Sequence, residues 1–192
     1  MKTIFKRISE ADAAFYKRWG FFPAAGGAVE NKYVDAAIVA GKLGSSLTQA
    51  ASGLYMGVAT FEVAAADDNG SIYRIFKSVD PNLIPVSLRL SCDAIDSATD
   101  YDCGLYDTLE NGGAEVDKDI FADGINIAAG FSRILGLDLL VAVDLANAKK
   151  RMWELVSGLT LNNKKGGYDI ALTANTVGTA AGTITVVGIF AS

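Results

Sequence analysis

Between residues 54 and 190 apolar side chains return at every second position, run after run, and this period of two constrains the fold more than any other feature. Val86, Leu88, Leu90, Cys92 and Ala94 share one parity, while Ser87, Arg89, Ser91 and Asp93 share the other. Successive side chains of a strand point to opposite faces, so this run predicts a half-buried antiparallel strand with one inner face. Tyr101, Cys103 and Leu105 repeat the pattern in 100–106, as do Tyr168, Ile170, Leu172 and Ala174 in a later run. Further strands are expected between Val116 and Ile127 and from Thr183 to Phe190, the last reached through a Gly- and Ala-rich turn.

Turn chemistry suggests how these strands connect. Leu54 to Ala65 and Ser71 to Val79 flank Asp67-Asp68-Asn69-Gly70, and Asn-Gly between two such runs predicts a hairpin because both residues accept positive φ. A second hairpin is expected from 86–94 to 100–106 through Asp96-Ser97-Ala98-Thr99. Symmetry about that turn sets Leu90 opposite Leu105, Cys92 opposite Cys103 and Ala94 opposite Tyr101, so every inward residue meets an inward one. Cysteines opposed in this way form either a cross-strand disulfide or two buried thiols, the thiols being favoured in a chain made in a cytoplasm.

One helix is expected within this region. Asp144 offers a cap, and Leu145, Ala148, Met152, Leu155 and Val156 form an apolar stripe ending near Ser157-Gly158, with Lys149, Lys150 and Arg151 largely elsewhere. Before Gly53 the texture differs. Ser9 and Asp12 resemble a capping box, Ala11, Phe15 and Trp19 follow at helical spacing until Gly20, and 21–52 carries no sustained period. The chain therefore divides into an N-terminal arm with a short helix, residues 1–52, and a β-sandwich domain, residues 53–192. The expected fold class is all-β: six or seven strands, mostly in hairpins, forming an antiparallel, jelly-roll-like sandwich with one amphipathic helix and an extended N-terminal arm.

Composition narrows the function. Seventeen Lys and Arg against twenty-two Asp and Glu leave a formal charge of −5, so no basic surface is offered to a phosphate backbone and no nucleic-acid partner is expected. The chain has no histidine, which excludes Ser-His-Asp and Cys-His hydrolases and His-based zinc sites. The longest apolar run, 134–143, is interrupted by Gly136 and Asp138, far from the roughly 20 residues a membrane helix needs. Ser9, Glu10 and Asp12 stand where a signal peptide needs apolar residues, so synthesis in the cytoplasm without cleavage is expected.

No motif points to a cofactor, a metal or catalysis. Asp100, Asp102, Asp107, Glu115, Asp117 and Asp119 could ligate calcium, but a calcium loop opening at Asp107 fails at Leu109, and the acidic residues read as a solvated strand and turn face. Gly41-Lys42 lacks the remainder of a phosphate loop, and Asn69-Gly70-Ser71 reads as a turn rather than a glycosylation site. With no nucleophile and base to name, no enzymatic activity is expected. The aromatic group Phe15, Tyr16, Trp19, Phe21 and Phe22 is different. In an arm without a core of its own, such rings form an exposed patch and are favoured interface anchors, so they are the candidate partner-binding residues; folding back onto the sandwich is the competing reading.

Three stretches carry a family resemblance: 53–78 (GLYMGVATFEVAAADDNGSIYRIFKS), Asp102-Cys103-Gly104-Leu105-Tyr106-Asp107, and Gly113-Ala114-Glu115-Val116-Asp117-Lys118-Asp119. They resemble proteins encoded among the head genes of tailed bacteriophages, and 168–183 (YDIALTANTVGTAAGT) is similar to the ends of the same proteins. The resemblance spans about residues 53–192 and implies a virion structural protein, in particular a capsid cement or decoration protein on the capsid surface. The partners it implies are the major capsid protein and further copies of this chain, as a trimer or other small cyclic oligomer. A neck, tail or fibre-base component is the alternative within that class, and a carbohydrate-binding β-sandwich for host attachment is the alternative outside it. The family brings no site motif, so no functional residue is carried over.

Overall fold

The computed structural model describes residues 32–33, 48–49, 53–132, 136–157 and 166–192. Among the described residues there are ten strands: β1 (Lys32–Tyr33), β2 (Thr48–Gln49), β3 (Leu54–Val63), β4 (Ser71–Val79), β5 (Ile84–Cys92), β6 (Asp100–Asp107), β7 (Glu115–Ile125), β8 (Leu137–Asp138), β9 (Tyr168–Thr176) and β10 (Gly182–Ala191). They form sheet I, ordered β1-β4-β9-β6-β7, and sheet II, ordered β2-β3-β10-β5-β8. Leaving β1 and β2 aside, sheet II takes the first, eighth, third and sixth strands, and sheet I the second, seventh, fourth and fifth. That is the double-sheet, two-Greek-key order of a jelly roll, so the expected all-β sandwich is the observed one.

The expected hairpins, however, are not formed. Apart from the two-residue β2 against β3, β6 and β7 are the only consecutive strands paired within one sheet among the described residues; β3 and β4 lie in opposite sheets, and so do β5 and β6. Leu90 therefore neighbours Val186 on β10 and Leu137 on β8, not Leu105, and Cys103 neighbours Leu172 and Ala122, not Cys92. Both cysteines are free thiols. The centres of the predicted inner faces nevertheless hold, with Leu88, Leu90, Tyr101, Cys103 and Leu105 fully buried, but Val86, at a register shift against β10, and Ala94, beyond the end of β5, are exposed. The buried residues meet across the core between the sheets rather than side by side within one.

The Asn69-Gly70 turn does form, with Gly70 at φ +86°. It turns the chain from sheet II into sheet I, where the Gly70 amide donates to the Ala174 carbonyl of β9 and Asn69 Oδ1 accepts from the Val177 amide. Ring packing joins the layers, with Phe61 of β3 stacked on Tyr73 of β4 at 5.2 Å and Phe76 meeting Phe190 edge-on at 6.1 Å. β10, whose last residue is the penultimate residue of the chain, lies between β3 and β5.

The expected helix from Asp144 is reduced to one turn, α1 (Met152–Leu155). Asp144 does cap locally, its Oδ1 accepting from the Asn147 amide at 2.9 Å. The following amides close three-residue turns instead of continuing, and the Met152 and Trp153 amides donate to the carbonyls of Leu83 and Pro81 in the β4–β5 turn. Long-range backbone pairing thus outweighs a weak local propensity. Leu145, placed on the apolar stripe by its spacing, is 96% exposed.

Candidate interaction surfaces

The candidate partner-binding residues Phe15, Tyr16, Trp19, Phe21 and Phe22, and the short helix predicted around them, lie outside the described residues. Two pieces of the leading segment are described. β1 runs parallel to β4, pairing Lys32 with Tyr73 and Tyr33 with Arg74, and β2 runs antiparallel to β3, pairing Thr48 with Met56 and Gln49 with Tyr55. The segment thus touches one edge of each sheet through two residues apiece, at the β3 and β4 strands that the Phe61 and Tyr73 rings bring together.

The outer face of sheet I is covered and polar. Arg74 of β4 is fully buried; it pairs with Asp169 of β9 at 2.7 Å, donates to the carbonyls of Asp107 and Gly113, and lies 5.2 Å from the centre of the Tyr106 ring. Asp169 also accepts from the amide of Ser78, a residue held at φ +50° where β4 departs from regular pairing. A second network lies on β6, β7 and β9. Asp102 is 1% exposed, accepts from Asn175 at 2.7 Å and from the Gly124 amide at 3.1 Å, and pairs with Lys118 at 3.0 Å.

Gly104 makes this covering possible. The register of β7 against β6 jumps from Cys103↔Ala122 to Leu105↔Asp117, so extra β7 residues bulge over the sheet. A Cβ on Gly104 would run into the Asp117 carbonyl oxygen and the Lys118 backbone.

The acidic residues do not form one solvated face. Glu115 and Asp119 are exposed, but Asp102 is buried. Burial pushes the Asp102 carboxyl up, yet the hydrogen bonds from Asn175, Gly124 and Lys118, with the Lys118 charge, outweigh it and hold its pKa below the usual range. Asp117 moves the other way, raised by partial burial and by neighbouring Asp119 and Glu115. Asp123 is raised chiefly by the Asp102 charge. Among the described residues no group of three or more His, Cys, Asp or Glu side chains is arranged to hold a metal ion, and no helix is long and apolar enough to cross a membrane.

On sheet II an open groove of about 490 Å³ lies beside the bridge between Cys92 and Phe131, with Ser91, Asp93, Ser132, Thr183 and Thr185 among its lining residues. Ser91, Ser132, Thr183 and Thr185 contribute hydroxyl groups to its walls, beside Cys92, Asp93 and Phe131. The half-buried Cys92 thiol has its pKa raised by burial, and Cys103, wholly buried, is raised further.

Sequence reasoning missed the Arg74–Asp169 pair because a charged residue in an alternating strand reads as solvent-facing. The available signal was an Arg flanked by Tyr73 and Ile75 in one strand and an Asp flanked by Tyr168 and Ile170 in another. Once β4 and β9 are known to pair with Arg74 beside Ala171, Asp169 falls on the diagonal.

No family model matches the chain, and no curated protein is similar to it. Among solved structures, a chain of the capsid of Ralstonia phage GP4 shares the fold, with a TM-score of 0.53 and 14% identity over 83% of this chain and 97% of that one.

Proposed function

We propose that this chain is a structural protein of a tailed-bacteriophage virion that binds other proteins and catalyses nothing. The observation that carries the reading is the shared jelly-roll fold, which takes in nearly the whole length of a chain from a phage capsid. The stretches that resemble head-gene proteins map onto the strands and turns of that same fold: β3 and β4, β6, the start of β7, and β9. A capsid cement or decoration role on the outer surface fits best, with the major capsid protein and further copies of this chain as partners. An acidic chain without histidine suits a passive component that neither contacts packaged nucleic acid nor performs acid–base chemistry. Many weak copies acting together can stabilise a shell.

In this reading the segment 1–52, with Phe15, Tyr16, Trp19, Phe21 and Phe22, contributes contacts to neighbouring subunits. The experiment is a particle assembled with a chain lacking the first 50 residues. Reduced incorporation is expected, and undiminished incorporation removes the arm from the proposal. Copy number then separates the sites: hundreds per particle place the chain on the shell, and six or twelve place it in the neck or tail.

One observation favours a second reading, attachment to a host glycan. The sheet II groove combines hydroxyls with Asp93 and the half-buried Phe131 ring, a combination suited to a sugar. Absence of binding on a glycan array disposes of it.

A further inference from the structure

Four of the six exposed large apolar side chains among the described residues, Leu54, Met56, Val58 and Val86, lie on the outer face of sheet II. The strand register arranges that face in rows. Leu54 stands beside Ala191 and Met56 beside Ile189; Val58 stands beside Val187, which neighbours Arg89. The next rows change character: Thr60, Thr185 and Ser91, then Glu62 with Thr183. Val86 sits at the register shift where β5 departs from β10 and is 54% exposed. An apolar centre grading into a hydroxyl and charged rim has the composition of an interface, whereas monomers rarely leave a contiguous apolar patch of this kind on one face.

We infer that the outer face of sheet II binds the same face of a second copy of this chain, as a two-fold pair. Charge selects this occupant. The chain carries a net charge of −5, and Asp100, Asp102, Glu115, Asp117, Asp119 and Asp123 all lie on β6 and β7 in sheet I. Two copies meeting through sheet I would set the exposed carboxylates among these, Glu115, Asp119 and Asp123, against one another; meeting through sheet II puts a body of sandwich between them. Arg89 is the one charge in the apolar rows and stands beside Asp138 of β8 at their far end, so the Leu54, Met56 and Val58 positions with Ala191, Ile189 and Val187 form an uncharged, self-complementary centre, as a two-fold contact requires. A standard interface takes about 800 Å² from each partner, more than three apolar rows provide, so the threonine row belongs to the contact as well.

The inference deepens the self-association in the proposed function and rests on that reading for its role in a particle, but its test does not. The experiment is sedimentation of the full-length chain over a concentration series, with Met56→Lys, Val58→Lys and Val86→Lys alongside. The unsubstituted chain is expected as a dimer at micromolar concentration. Each lysine variant should weaken it at least tenfold with an unchanged circular dichroism spectrum, and Asp119→Lys on the opposite sheet should leave it intact. Should Met56→Lys fail to fold, Val86→Lys, at the bulge, carries the same test.

A monomeric unsubstituted chain, a dimer that survives all three lysines, or a dimer broken by Asp119→Lys each overturns the inference. If the chain is a monomer and Met56→Lys abolishes particle incorporation, a capsid subunit occupies the face instead of a second copy. A monomer that still enters particles leaves the proposed function standing; a dimer that never enters them leaves only the inference.

Discussion

The guanidinium of Arg74 meets the carboxylate of Asp169 at 2.7 Å, and neither side chain is exposed to solvent. The pair ties β4 to β9, and through the Asp107 and Gly113 carbonyls it anchors the β6–β7 connection over the outer face of sheet I. Removing one charge of a buried pair strands the other, which costs about 3–5 kcal/mol. Asp169→Asn and Arg74→Met are each expected to lose stability on that scale in urea unfolding. The double variant Arg74→Met/Asp169→Leu should regain only part of it, because the carbonyls that Arg74 serves lose their donor. Full recovery in the double variant would mean that these carbonyl contacts contribute nothing.

How far the sequence reveals this fold depends on what alternation encodes. It reports which face of a strand is buried, and Leu88, Leu90, Tyr101, Cys103 and Leu105 lie where their parity puts them. It does not report the neighbour. A strand that turns back within its sheet and one that crosses to the facing sheet show the same period of two. Leu90 and Leu105 are thus both inward, on opposite layers. The observed connections 64–70 and 93–99 are seven residues long, well beyond a two-residue hairpin turn, whereas the strand bounds read from the sequence left five residues in each, a length that hairpin loops also take. β8, only two residues long, is too short to show a period.

Surface features were legible only in part. Leu54, Met56 and Val58 have one parity, Ala59, Phe61 and Val63 the other, so β3 is apolar on both faces, a pattern that marks an outer face in need of cover. The covered face of sheet I was invisible, since it depends on a bulge in β7 that only the register discloses.

Gly104 sits beneath that bulge, and its lack of a side chain is the condition for it. Gly104→Ala is expected to destabilise the chain by about 1–3 kcal/mol, the range for overpacking a dense site. The damage should be local to β7: hydrogen exchange should quicken at 115–122 and remain unchanged in β3 and β10. Uniform quickening across both sheets would show that the bulge is not a separable unit.

The cysteines give a chemical test of burial and thiol state. Cys92 and Cys103 are free thiols on different sheets, and burial raises the pKa of both, suppressing the reactive thiolate. Ellman's reagent added to the native chain should label Cys92 slowly and leave Cys103 untouched. After denaturation without reductant, both thiols should titrate. Failure to find them would mean a disulfide, within or between chains, and would overturn the free-thiol state of Cys92 and Cys103.

Two carboxylates near Lys118 should give opposite pH signatures. The folded pKa of Asp102 is depressed, so its contribution to stability is present above its unfolded value and is lost only as pH falls through the lower folded value. Asp102→Asn should therefore cost about 1–3 kcal/mol at neutral pH. That penalty should persist through pH 4 and shrink only in stronger acid. Asp117 is the reverse case: its folded pKa is raised, so the folded state favours the protonated form, and this contribution is lost as pH rises through the folded value. Asp117→Asn should stabilise the chain at neutral pH by no more than about 0.5 kcal/mol, because Asp117 is partly solvated and screening weakens its repulsion from Asp119 and Glu115. The gain should already fade as pH is lowered toward 4, before the Asp102→Asn penalty begins to close. Urea midpoints for both variants and the unsubstituted chain at half-unit steps from pH 7 to pH 3 measure the two windows. If the Asp102→Asn penalty disappears first, Lys118 and Asn175 are not holding that carboxylate in its charged form.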